Sequence, residues 1–145
     1  MYLAIENPLN SSELVFPTLE CIHIVGFAIL VGTIAIVDFR ILGLGMRQQK
    51  VPELAKSTAP WTLTGLVLAL FSGPLLFSSD PDMYYLNISF QLKMVFLLAA
   101  IIFHYTIHRK VALSGGAGAG AKAVACISML LWCCVIYGGI FIAFV

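Results

Sequence analysis

Charged side chains are scarce in this sequence. Asp, Glu, Lys and Arg make up only 10% of the 145 residues, whereas 61% are hydrophobic and the mean hydropathy is +1.01. A soluble domain has about 25% charged residues, and a water-facing surface cannot be built from far fewer. The composition therefore excludes a soluble globular fold, and a net charge of +1 provides no basic surface for nucleic acid. We expect a lipid bilayer to cover most of the protein.

Paired cysteines and a basic N-terminal segment are also missing. The first fifteen residues carry acidic side chains but no lysine or arginine, so we expect no cleavable signal peptide. No nucleophile–base pair or phosphate-binding loop is apparent, and no catalytic residue is assigned.

The four cysteines lie in apolar stretches without a CxxC spacing, which favours small buried residues over disulfides or a zinc site. They are Cys21, Cys126, Cys133 and Cys134.

Four apolar segments remain, each about the length that crosses a bilayer. A helix rises 1.5 Å per residue and needs about 20 residues for the hydrocarbon core. None of the segments alternates with the period of a strand, so the sequence predicts an all-α, four-transmembrane-helix bundle in a single domain, residues 1–145. Polar or glycine-rich stretches at residues 47–59, 78–87 and 114–121 separate the segments. The predicted spans are residues 18–37, 60–77, 89–107 and 123–145.

Basic residues gather on one side of this topology. Seven of the eight lysines and arginines lie at the ends of spans one and three or in the loops that follow them. The positive-inside rule places these loops in the cytoplasm and both termini outside. The basic set is Arg40, Arg47, Lys50, Lys56, Arg109, Lys110 and Lys122, and the opposite side holds Glu6, Glu13, Glu20, Asp80 and Asp82.

Small residues recur at every fourth position of the second span, at Gly65, Ala69 and Gly73. Such a stripe allows the backbone of a neighbouring helix to approach closely. We therefore expect a helix-packing face here rather than a ligand site.

Ionisable side chains inside a span are costly and by default indicate function. Lys93 and His104 are eleven residues apart, close to three helical turns, and share a stripe with His108 that should face the bundle interior. Glu20 and His23 lie three residues apart on one face of the first span.

Structural roles compete with functional ones for these residues, since a lone histidine can simply link two helices by a hydrogen bond. His108 lies beside Arg109 and Lys110 and is expected at the level of the lipid headgroups. We expect Asp38 and Arg40 to pair with each other or to anchor the inner boundary. Glu20 is expected to neutralise Lys93 or to accept a hydrogen bond.

Haem b is the cofactor that these side chains suit best. A membrane haem needs a neutral imidazole on iron and an apolar slot. His23 and His104 are the candidate iron ligands, and Gly26, one turn after His23, would leave room for the porphyrin. Lys93 would supply a second axial ligand or a cation for a propionate, with Glu20 as its partner.

Depth along the helices separates the two histidines. Helical rise places His23 and Lys93 roughly 7 Å outward of the midplane and His104 roughly 9 Å inward. His23 and Lys93 can therefore meet, whereas His23 and His104 of one chain cannot share a haem. The sequence predicts one or two haems, with missing ligands from water or from a neighbouring subunit of a homo-oligomer.

The first span also resembles that of a known family. Residues 20–26 (ECIHIVG) and 38–43 (DFRILG) are similar to the first helix of a small bacterial four-helix membrane family of unassigned function. This resemblance implies a location in the bacterial inner membrane. Four further stretches fit the same family: residues 60–61 (PW), 72–77 (SGPLLF), 90–93 (FQLK) and 103–104 (FH).

That family is similar in layout to two better-known ones, the membrane protoporphyrinogen oxidase and the membrane domain of copper resistance protein D. The oxidase binds haem b with an intramembrane histidine on an early helix and a lysine on a later one, and His23 and Lys93 match those roles. The scattered methionines, without a methionine-rich relay, disfavour the copper protein.

Three functional hypotheses follow from these residues. The first is a b-type cytochrome that carries electrons within or across the membrane, with a quinone or a redox protein as its partner. The second is a porphyrinogen or quinol oxidoreductase. The third is a cofactor-free accessory subunit or a copper-handling membrane protein, in which the histidines and Lys93 only join helices.

Overall fold

The structure is a computed structural model that describes residue 9 and residues 12–144. Glu6, one of the acidic residues in the topology prediction, lies outside this part of the chain. Within it there are helices but no strands, and four continuous helical stretches are long and apolar enough to cross a membrane. These are Val15–Leu42, Val51–Ser79, Ile88–Leu113 and Gly118–Phe144. The predicted all-α bundle of four spans is confirmed.

The first, second and fourth spans are α1 (Val15–Leu42), α2 (Val51–Ser79) and α6 (Gly118–Phe141, followed by a 3-10 turn). The third is divided. It runs as α4 (Ile88–Phe103), a π-helical turn (His104–His108) and α5 (Arg109–Leu113).

The second span begins earlier than the apolar pattern predicts. Residues 51–59, expected to belong to a polar loop, form the first turns of α2, with Pro52 in the opening turn where a proline is tolerated. Val51 and Leu54 are buried against Ile41, Ala112 and other members of an apolar cluster between the spans. This burial explains why a charged stretch continues as a helix.

The expected turn around Asp80 is a short helix, α3 (Pro81–Tyr85). The Asp80 carboxylate accepts a hydrogen bond from the backbone N–H of Met83 at 3.2 Å and so caps this helix. The end of the bundle that contains α3 and the start of α1 is called the acidic end below. The opposite end, with loops 43–50 and 114–117, is called the basic end.

Two helix pairs make up the bundle. The α1 helix packs along α2, α4 packs along α6, and α1 also contacts α6. The second span approaches the third mainly through α5 at the basic end, and α2 and α4 do not form a packed pair among the described residues. Large apolar side chains such as Val25, Phe71 and Leu98 are exposed on the outside, as a lipid-facing surface requires.

The stripe of small residues on α2 is the seam between α1 and α2. A Cβ added to Gly65 would lie 2.5 Å from the backbone nitrogen of Leu30, and one added to Gly26 would lie 2.6 Å from Cβ of Leu68. Only glycine fits at such a separation, so the packing role expected for the stripe is confirmed at Gly65.

Candidate functional site

His23 is held at the acidic end by a serine that sequence reasoning did not select as its partner. Its Nδ1 lies 2.8 Å from Oγ of Ser72, and the Ser72 hydroxyl donates to the carbonyl of Leu68 at 2.6 Å. We assign the proton of the His23–Ser72 contact to Nδ1, because the single proton of the Ser72 hydroxyl is directed to the Leu68 carbonyl. Nε2 of His23 is then unprotonated and has a lone pair for a ligand.

Lys93 lies at the same level of the bundle as His23. Its Nζ is 5.8 Å from the ring centre of Phe27, on which the His23 ring also stacks at 6.3 Å. The lysine stem runs along two glycines of α6: an added Cβ would come within 3.0 Å of Lys93 at Gly138 and within 3.3 Å of Nζ at Gly139. The third span therefore turns its ammonium towards α1, as the depth calculation predicts.

Glu20 is not paired with Lys93, the partner expected for it. It is exposed near the start of α1 and forms no ion pair with Lys93 in the described structure. Burial chiefly raises the pKa of Tyr84 in α3, and the negative charges of Glu20 and Asp80 raise it further. The expectation that Glu20 neutralises Lys93 is wrong, because the ammonium lies over the Phe27 ring of α1 and the stem runs along α6. A hydrogen bond accepted by Glu20 stays a prediction.

Gly26 already has a packing role. The space that a side chain would fill at this position is taken by Leu68 and by the backbone of α2. The side of Gly26 that faces α2 has no room for a porphyrin. That Gly26 leaves room for one elsewhere stays a prediction.

A second polar cluster joins three spans at the basic end. Asp38 and His108 are each only 1% exposed, and His108 Nε2 donates to Asp38 Oδ1 at 2.6 Å. The Ser128 hydroxyl donates to the other carboxylate oxygen, Oδ2, at 2.8 Å. Asp38 thus links α1 to the π-helical turn and to α6.

Two expectations are corrected by this cluster. His108 is buried and does not lie among the headgroups, although Arg109 and Lys110 beside it are exposed. Asp38 does not pair with Arg40, because residues two apart in a helix point to different sides. Arg40 instead donates through Nε to the carbonyl of Gln49 at 2.6 Å.

His104 stacks on His108 with ring centres 5.0 Å apart and 27° between the planes. Both histidines line a cleft of about 210 Å³ between α1, α2 and the third span. Their Nδ1 atoms are buried and have no hydrogen-bond partner. Two buried ring nitrogens without a partner thus belong to residues that line the cleft.

No cluster that would hold a metal ion by itself is seen in residue 9 and residues 12–144, since no three His, Cys, Asp or Glu residues converge there. The cysteines in this range are free, as expected. They are not buried, however: Cys21, Cys126 and Cys133 are exposed on the outside of the bundle, and Cys134 is half-buried.

Comparison with known proteins gives a family without an assigned role. The model of a family of unknown function matches residues 13–145. No curated protein and no solved structure is similar enough to the chain to match it. The chain thus belongs, over almost its whole length, to the family of unknown function DUF6644.

Proposed function

We propose that this protein binds haem b in the membrane and carries electrons, with His23 as an axial ligand of the iron. The observation that carries the proposal is the bond between His23 and Ser72, which leaves Nε2 of the imidazole free. Histidines that bind metals almost always donate their other N–H to a nearby acceptor, which fixes the tautomer and the ring orientation. Haem iron, when bound, would supply one-electron chemistry.

The residues around His23 suit an anionic macrocycle. Gly73 of α2 lies beside the imidazole, and a Cβ added there would make an ordinary contact with Cε1 of His23 at 3.6 Å. The Lys93 ammonium lies across the Phe27 ring and would pair with a propionate or serve as a second ligand. The donor set therefore fits haem b.

The macrocycle cannot enter between α1 and α2, which are in close backbone contact at Gly26 and Gly65. In our proposal it lies on the other side of His23, towards α4. There α1 and α4 meet through side chains such as Phe27 and Phe96 rather than as a closely packed helix pair. A second subunit of a homo-oligomer would close this side and complete the iron ligands.

His104 is the candidate ligand of a second haem. Its ring stacks on His108, so the two imidazoles cannot bind opposite faces of one iron. The cleft beside them, at about 210 Å³, is smaller than the pockets of about 300–1,000 Å³ that hold drug-sized ligands. One haem per chain, at His23, is the form of the proposal that we favour.

The visible spectrum of the purified protein tests this proposal. We expect a Soret band that shifts on dithionite reduction, and we expect His23→Ala to abolish or shift it. Ile24→Ala is the matched control, because Ile24 is the next residue of α1 and is exposed towards lipid. Ser72→Ala should shift the band while leaving part of the haem bound, since it removes only the acceptor for Nδ1.

Two outcomes would reject the proposal. A colourless protein, expressed with sufficient haem, would exclude the cofactor. A pyridine haemochrome count and spectrum that are unchanged in His23→Ala would exclude His23 as a ligand. Lys93→Met separates the roles of Lys93, because loss of a propionate contact lowers haem retention, whereas loss of an iron ligand also changes the spin state.

A further inference from the structure

We infer that the cleft at the basic end binds the hydroxylated ring of a quinol, with Nδ1 of His108 and Nδ1 of His104 as its hydrogen-bond partners. This inference does not depend on the haem proposed above. It assigns a role to the two buried histidines of the basic end, which the favoured form of the proposal, with one haem at His23, leaves unused.

Two buried ring nitrogens, Nδ1 of His104 and Nδ1 of His108, lack a hydrogen-bond partner. Almost all buried polar groups in proteins have a hydrogen-bond partner, and a buried group without one is costly. His104 and His108 both line the cleft, and the Nδ1 atom of each ring is buried without a hydrogen-bond partner. A ligand hydroxyl placed in the cleft would supply the hydrogen bond that the chain does not.

Asp38 determines what His108 can accept. Its carboxylate receives hydrogen bonds from Ser128 and from Nε2–H of His108, so the imidazole proton is held on the side away from the cleft. Nδ1 of the neutral ring then presents a lone pair, which takes an O–H donor such as the hydroxyl of a quinol. The negative charge behind the ring also makes Nδ1 a stronger acceptor, as in other carboxylate–histidine pairs.

The geometry of the rings favours an organic ligand over a metal ion. The two rings are stacked, with planes 27° apart and centres 5.0 Å apart, so they lie over each other's faces. No third metal-binding side chain joins the two histidines within the described part of the chain.

The shape of the cleft matches a single ring with a tail. Its volume of about 210 Å³ admits one ring but not a porphyrin, and its walls include Ile34, Val37 and Leu63. Leu63 and Tyr105 line the cleft and are also exposed on the outer surface of the bundle. The cleft therefore reaches the lipid, where an apolar tail can remain, while Arg109 lines it near the basic end.

Binding to a short-tailed benzoquinol tests the inference, measured by calorimetry on the full-length protein in detergent with empty micelles subtracted. The dimethyl ether of the same quinol has no O–H donor, and we expect it to bind at least about tenfold more weakly. Ala59→Leu would place carbon in the cleft and should weaken quinol binding by a similar factor. Ala123→Leu, at an exposed position of α6 away from the cleft, is the matched control and should bind normally.

His104→Leu removes one ring nitrogen without disturbing the buried Asp38 pair and should also weaken binding. Since His23 is not part of the cleft, His23→Ala should retain quinol binding, so failure of the haem proposal would not be mistaken for failure of this one. Equal affinity for the quinol and its ether, or normal binding by Ala59→Leu, would overturn the inference. Stoichiometric binding of Zn²⁺ or Cu⁺ that requires His104 and excludes the quinol would overturn it in favour of a metal site.

Discussion

At the scale of single residues, Asp38 affects both the stability of the bundle and the protonation of His108. It is buried at the meeting point of three spans, and its two oxygens accept from His108 and from Ser128. Removing this carboxylate leaves two buried donors, Nε2–H of His108 and the Ser128 hydroxyl, without an acceptor, and each typically costs about 1–3 kcal/mol. The same pair fixes the tautomer of His108, so its loss would also change what the cleft can bind.

We therefore expect Asp38→Ala to lower the free energy of unfolding by about 2–6 kcal/mol, the cost of two unsatisfied buried donors, measured by reversible denaturation in mixed micelles. Asp38→Asn keeps one acceptor and the side-chain volume and should cost less. Arg40→Ala is the control, since Arg40 is only partly buried and bonds to a loop carbonyl. Equal effects of Asp38→Ala and Arg40→Ala would show that the buried cluster does not stabilise the fold.

The sequence predicted which residues were unusual but not how they pair. Asp38, His23, Lys93 and His104 stand out because each is polar in an apolar segment. Their observed neighbours on other helices could not be found from spacing, because spacing relates residues only within one helix. Ser72 illustrates this limit: it lies beside the small-residue stripe and opens the family-like stretch 72–77, and neither feature identifies His23 as its partner.

At the scale of helices, the seam between α1 and α2 is the closest contact in the bundle. Without a hydrophobic driving force between helices in lipid, close packing at small residues contributes much of the stability. A Cβ at Gly65 would meet the backbone of Leu30 and of Gly26, which cannot move aside as a side chain can.

Gly65→Ala should therefore destabilise the protein by about 1–3 kcal/mol, the usual cost of overpacking. Gly32→Ala is the matched control on α1, because a Cβ there meets nothing within 4 Å. It should be neutral or stabilise the helix by up to about 1 kcal/mol. Denaturation of both variants under the same conditions checks this expectation, and equal stabilities would contradict the role of the seam.

The existence of the helices was predictable and their limits were not. Windows of hydropathy identify the four spans, but residues 51–59 read as a loop because their charges hide the buried Val51 and Leu54. The π-helical turn at His104–His108 has no signal in the composition. That turn brings both histidine rings to the cleft, so the sequence could not predict the cleft.

At the scale of the whole molecule, charge separates the two ends of the bundle. Seven of the eight basic residues belong to one end, and four of the six described acidic residues, Glu13, Glu20, Asp80 and Asp82, belong to the other. Basic loops are retained in the cytoplasm during insertion. We accordingly propose that the basic end is cytoplasmic, that both termini lie outside, and that the membrane is the bacterial inner membrane.

Reporter fusions in a bacterial host check this orientation. Alkaline phosphatase, which is active only outside the cytoplasm, should be active when fused after residue 145 and inactive when fused after Gly45, in the loop that joins α1 to α2. A cytoplasmic reporter at the same two positions should give the reverse pattern. Phosphatase activity at Gly45 alone would place the basic end outside.

The links made by Asp38 also bear on how the protein is assembled during translation. Asp38 precedes its histidine partner by 70 residues and its serine partner by 90. When the ribosome has delivered only the first two spans, this carboxylate has neither partner, and an unpaired acid is tolerated near the aqueous boundary better than deep in lipid. Packing of the third and fourth spans against the first supplies both hydrogen-bond donors to this acid, so it joins the two halves of the chain.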